Sequence, residues 1–104
     1  MTRKSYSTRE LARCLRRLGF VEEPKRGKGS HRWFTFLLDG RKTRTMLPAH
    51  EKDVAPKTYV SILKQIRLHQ NEFLRGCKGQ LSEAEYAELL RLRRENVSFK
   101  PRMD

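Results

Sequence analysis

Asp39-Gly40 stands between two runs of strand-forming residues, and this dipeptide limits the fold more than any other pair in the chain. The tightest hairpin turns need positive φ, which Asp tolerates and Gly adopts freely, so Arg32 to Leu38 and Arg41 to Leu47 are expected to pair as antiparallel strands. With a two-residue turn, Phe34, Phe36 and Leu38 share one face with Thr43, Thr45 and Leu47, while His31, Trp33 and Thr35 share the other with Arg44 and Met46. A turn longer or shorter by one residue would move every side chain of the return strand to the opposite face. Phe20-Val21, stopped by Glu22-Glu23-Pro24, supplies a short third strand.

Helices flank this sheet. Ser7 and Glu10 form an S-x-x-E capping signal with Tyr6 and Leu11 placed as a hydrophobic staple. Leu11, Cys14, Leu15 and Leu18 then recur at helical spacing, Arg9, Arg13, Arg16 and Arg17 take the outer surface, and Gly19 provides a left-handed exit. After a loop from Ala49 to Ala55, Pro56 opens a second helix marked by Val60, Ile62, Leu63, Ile66 and Leu68. Gln70 to Gln80 reads as a short connection bounded by glycine. Ser82 and Glu85, with Leu81 and Tyr86, repeat the opening device and start a last helix to Asn96, with Leu89, Leu90 and Leu92 on its apolar side. The sum is an α+β layer: a three-stranded antiparallel sheet with helices on one face, the other face open to a ligand, and an extra C-terminal helix.

The chain carries 24 Lys and Arg against 12 Asp and Glu, a formal charge of +12 on 104 residues, which favours polyanionic partners. The excess is concentrated: residues 1–70 hold 17 basic and 6 acidic side chains (+11), and residues 71–104 hold 7 and 6 (+1). No apolar run approaches the ~20 residues that cross a bilayer, and Met1-Thr2-Arg3-Lys4 is not followed by the apolar segment of a secretory signal, so a cytoplasmic protein is expected. Cys14 and Cys77 lack CxxC spacing and read as one buried and one loop thiol.

Chemistry concentrates in Gly27-Lys28-Gly29-Ser30-His31-Arg32-Trp33-Phe34, where an imidazole opens an aromatic strand just after a loop carrying Lys25, Arg26 and Lys28. Five segments in order resemble the HicA-type toxins, the ribonuclease half of a bacterial toxin-antitoxin pair whose antitoxin is HicB. They are Glu10-Leu11 with Leu18-Gly19-Phe20, Gly29-Ser30-His31, Asp39-Gly40-Arg41, Leu47-Pro48, and Ser61-Ile62-Leu63-Lys64-Gln65. The resemblance covers roughly Ser5 to Leu68. It implies an α-β-β-β-α fold similar to a double-stranded RNA-binding domain over residues 1–69, with residues 70–104 as an extension. The stretch from Gly40 to Pro48 runs about two residues longer than the family pattern, which a bulge or a wider turn would absorb.

The resemblance also implies that His31 is the catalytic residue of a metal-independent endonuclease acting on mRNA. RNA brings its own nucleophile, the 2′-hydroxyl, so an imidazole need only move a proton while cations hold the phosphate, leaving a 2′,3′-cyclic phosphate and a 5′-hydroxyl. Lys28, Arg32 and Arg44 are candidate phosphate contacts, Trp33 a candidate stacking surface, Gly29 a point of close backbone approach, and Ser30 a loop-fixing or phosphate-bonding hydroxyl. No cofactor or metal is expected. The implied partners are mRNA and a HicB-type antitoxin that would cover the open sheet face, with the free toxin a monomer. His50 and His69 read as solvated, and Arg91, Arg93 and Arg94, beside Glu88 and Glu95, as a solvated helix face. The alternative from another class is a module that binds double-stranded RNA without cutting it.

Overall fold

The structure, a computed structural model, describes residues 6–24 and 29–103; the loop cations Lys25, Arg26 and Lys28 and the stretch 1–5 lie outside the described residues. Strands β3 (His31–Leu38) and β4 (Arg41–Pro48) form the hairpin, which closes at Leu38 and Arg41 around Asp39 (φ 54°) and Gly40 (φ 75°). Two successive left-handed residues give the turn whose twist matches that of paired strands. The register is unbroken from there to the His31 and Pro48 pair, so the expected bulge or wider turn does not occur. Two added residues are one full period of side-chain alternation, and the strands lengthen without any residue changing face.

A short β2 (Val21–Glu22) pairs with β3, giving the antiparallel order β2-β3-β4. Phe34, Phe36, Leu38, Thr45 and Leu47 are buried beneath the helices, and His31, Leu37, Lys42 and Arg44 are exposed on the other side. The anticipated α+β layer is therefore present, with its helices on one face.

Helix α1 (Thr8–Arg17) begins where Ser7 Oγ accepts the Glu10 N–H at 3.3 Å, and it buries Leu11, Ala12, Cys14 and Leu15. Before it, β1 (Tyr6–Ser7) pairs with β5 (Asp53–Val54) inside a stretch that reads locally as loop. That ribbon stacks Tyr6 on Tyr59 of α2 (Pro56–Ile66) with ring centroids 3.8 Å apart. From α2, Gln65 Oε1 accepts the buried Thr45 hydroxyl at 2.6 Å, which lets a polar group sit in the core.

Residues 70–80 are not a plain connection: Gln70–Cys77 form α3. Gly76, which reads as a breaker, lies against Leu18, and a Cβ there would come within 2.7 Å of Leu18 Cδ2. The glycine permits a close approach of α3 to the end of α1 rather than ending a helix. Cys14 and Cys77, 63 residues apart, form a disulfide here, which corrects the reading of two separate thiols. Local spacing says nothing about cysteines that helix packing brings together, and their Cα atoms lie 4.4 Å apart, within the span such a bond requires.

Helix α4 (Glu83–Arg93) starts at a reciprocal cap between Ser82 and Glu85. Of its expected apolar side, Leu90 is buried and Leu89 partly so, whereas Leu92 is exposed; Tyr86 does the anchoring, its ring packed edge-on to Phe36 and its hydroxyl donating to Ile66 O at 2.8 Å. Phe73, Leu81, Tyr86 and Leu90 thus join one core with Phe34, Leu47 and Ile62. Among the described residues no helix is long and apolar enough to cross a membrane.

Arg93 is not a solvated helix residue. Its guanidinium grips Glu72 on α3 at 2.7 and 2.8 Å, with both side chains largely buried. Burial alone would raise the Glu72 carboxyl, but the Arg93 bonds and the His69 backbone N–H outweigh it and hold the group below the ordinary glutamate value of 4.5. A depressed folded-state value contributes stability that is present above pH 4.5 and lost as the pH falls through it. Glu72→Gln is therefore expected to be less stable than the wild type by about 1–3 kcal/mol at neutral pH. The gap should narrow in acid; urea melts at about pH 7 and about pH 3 showing a constant gap would count against this linkage.

Candidate nucleic-acid interface

His31 owes its place to the register. As the first residue of β3 it pairs with Pro48, and the ladder continues one step beyond it through the Ala49 N–H donating to Ser30 O at 2.9 Å. The backbone is thereby fixed on both sides of an exposed imidazole. Nδ1 lies 3.4 Å from Ser30 Oγ, a hydrogen bond whose direction depends on the tautomer, so Ser30 orients the ring.

Alternation along β3 brings Trp33 to the same face, half-exposed, and the cross-strand register brings Arg44 beside it. The Arg44 guanidinium lies over the Trp33 ring, 4.6 Å from its centroid. Glu23 holds it there: its carboxylate accepts from Arg44 Nε at 3.0 Å and Nη2 at 3.2 Å and from the Thr35 hydroxyl, and its backbone N–H donates to Trp33 O at 2.8 Å. The result is a stacked aromatic-cation platform whose outer plane is open. Gly29, His31, Arg32, Trp33, Arg44 and Glu23 line a hollow of about 130 Å³.

Arg32 lines this hollow, but its guanidinium is committed elsewhere. It forms a paired contact with Glu22, Nε to Oε2 at 2.8 Å and Nη2 to Oε1 at 3.0 Å, and lies over the ring of Phe34. Arg16 of α1 shares the same carboxylate at 2.6 Å. The Arg32 bonds hold Glu22 below its ordinary value, and Glu22 in turn raises Arg32. Among the described residues the structure thus groups His31, Ser30, Trp33 and Arg44 on the open face; Lys28 lies outside them.

Glu23, which fixes Arg44, went unnoticed in the sequence, where Glu22-Glu23-Pro24 signals only the end of a strand. Its partners are remote in the chain, so no local pattern announces it. His50 is exposed as expected, but His69 is structural: Nδ1 accepts the Arg102 N–H at 2.9 Å and its ring packs near Phe99. Exposed Val21 and Leu37 add an apolar strip to the open face.

No curated protein and no solved structure matches the chain. A family model described as "HicA toxin of bacterial toxin-antitoxin" matches residues 8–68, more than half of the chain, and its span runs from the start of α1 to just past α2.

Proposed function

Since the chain belongs to the HicA family and is a toxin of a bacterial toxin-antitoxin system, we propose that it is a metal-independent RNA endonuclease whose catalytic residue is His31. The observation that carries this reading is an exposed imidazole, oriented by Ser30, beside the Trp33–Arg44 platform on the face that no helix of the described residues covers.

In the tautomer whose Nδ1–H donates to Ser30 Oγ, the other ring nitrogen is bare and takes the 2′-hydroxyl proton. The 2′-oxygen then bonds to phosphorus as the bond to the 5′-oxygen breaks, and that oxygen leaves with a proton from water or from the imidazolium. Products are a 2′,3′-cyclic phosphate and a 5′-hydroxyl. Arg44 supports the phosphate as charge develops on it, and a base can stack on the guanidinium plane that Trp33 backs. Gly29 and Arg32, which line the hollow, and Lys28 are proposed to contact the RNA backbone. Residues 1–69 act as the nuclease unit and residues 70–104 as its extension.

Family membership implies an antitoxin partner. We assign it as a HicB-type protein that seats on the open face, where exposed Val21, Leu37 and Trp33 offer apolar surface next to His31 and occlusion would silence the enzyme. We take the target to be mRNA and the compartment to be the cytoplasm.

Purified protein incubated with single-stranded RNA and EDTA is expected to leave cyclic phosphate ends at an undiminished rate. Cleavage that disappears with the chelator, or RNA bound but never cut, would overturn this reading; the second result would favour a non-catalytic binding module.

A further inference from the structure

A second basic hollow lies at the free edge of the sheet. The concavity, about 300 Å³, is lined by Arg41, Lys42, Arg44, Gln65, Arg67 and Arg94, with no Asp or Glu among its lining residues. It sits between edge strand β4, the end of α2 and the residue just past α4, so the extension beyond the family's matched span completes it.

Several of these cations are already partnered from outside the hollow. Glu95 holds Arg41 at 2.6 Å, Glu23 holds Arg44, and Asp39, bound mainly to Arg91, reaches Arg94 only at 4.0 Å. Lys42 and Arg67 form no ion pair among the described residues. More telling is Arg94, which the sequence placed on a solvated helix face. Its side chain is only 10% exposed, and its Nη2 is buried with no hydrogen-bond partner; the Nε of Arg67 is in the same condition. A buried charged donor without an acceptor is disfavoured unless something supplies one. Arg67 also ends α2 at φ 63°, a conformation that glycine or asparagine adopts with less strain. An arginine there keeps a cation at the hollow's wall.

An anion with several acceptor oxygens would supply acceptors to these side chains once they turn toward the hollow they line, and a phosphodiester is the one the surroundings favour. Arg44 lines both this concavity and the hollow of His31, so the two adjoin at one cation of the edge strand. We propose that the concavity is a second phosphate site, holding a backbone phosphate of the same RNA strand whose bond is presented to His31. This rests on the ribonuclease reading for its substrate. It makes Lys42 and Arg94 positioning residues that favour long RNA over short.

The test uses full-length protein in a His31→Ala background, so that RNA survives the measurement, and compares fluorescent single-stranded RNA of about twelve nucleotides with a dinucleotide across a salt series. Lys42→Gln and Arg94→Gln are each expected to weaken the longer RNA by about five- to tenfold and to flatten the slope of log affinity against log salt by about 0.7 per lost contact. Dinucleotide binding should not change. Lys42 is exposed, so its variant keeps the fold even if the Arg94 variant does not; Arg94→Lys should recover part of the affinity. Unchanged affinity and slope for Lys42→Gln would overturn the site while leaving cleavage by the wild type intact. Losses confined to binding of an acidic antitoxin would likewise overturn it. Conversely, variants that lose RNA affinity beside a wild type that cuts nothing would remove the ribonuclease reading and keep the site.

Discussion

A His31→Ala variant should cut RNA more slowly than the wild type by a factor of about 10²–10⁴, the usual contribution of a positioned acid-base group. The ring is exposed at the start of β3 and packs into no core, so its removal leaves no cavity and should move the thermal midpoint by no more than a degree or two, in keeping with the about ±0.5 kcal/mol typical of surface changes. RNA affinity should stay within about threefold, because the proposed phosphate contacts rest on other side chains. Rate lost with fold and binding kept is the signature of a chemical role. A variant that cuts at near the wild-type rate, measured by release of cyclic phosphate ends, would dismiss His31 and the mechanism built on it. Removing Ser30 Oγ by Ser30→Ala should have a smaller effect, since it frees the ring to rotate without taking away the imidazole.

The largest effect on stability is expected at Tyr86. It is fully buried, sits against Phe20 and Phe36, and donates its hydroxyl to Ile66 O. Burial pushes its phenol far above the ordinary tyrosine value, which favours the neutral form that donates that bond. Tyr86→Ala should destabilise by about 3–5 kcal/mol through lost transfer energy and the cavity left behind. For a domain of this size that lowers the thermal midpoint on the order of 15–30 °C. Tyr86→Phe, which removes only the hydrogen bond, should cost about 1 kcal/mol. Calorimetry showing a small loss for Tyr86→Ala would mean that α4 is an appendage rather than part of the core.

How much of this could be read without coordinates differs from one element to the next. Helices α1 and α4 carry their caps within four residues, and the Asp39-Gly40 turn sets the hairpin register, so His31, Trp33 and Arg44 could be placed on one face from alternation alone. The family's signature survives for the same reason, since its segments follow one another along the chain. Helix α3 was hidden because Gly76 reads as a break until Leu18 is seen beside it. Arg93 and Arg94 look solvated next to Glu88 and Glu95, yet the first is held by Glu72 and the second is buried in the wall of a basic hollow.

The dividing line is sequence distance. Strand alternation, turn chemistry and helix caps act between residues a few positions apart, and they were enough to specify the layer, its open face and the residue that opens β3. Partners such as Cys14 with Cys77, Glu23 with Arg44 and Glu72 with Arg93 are joined by packing across the chain. No spacing rule encodes those pairings, because they depend on which helix faces meet once the apolar surfaces have been buried.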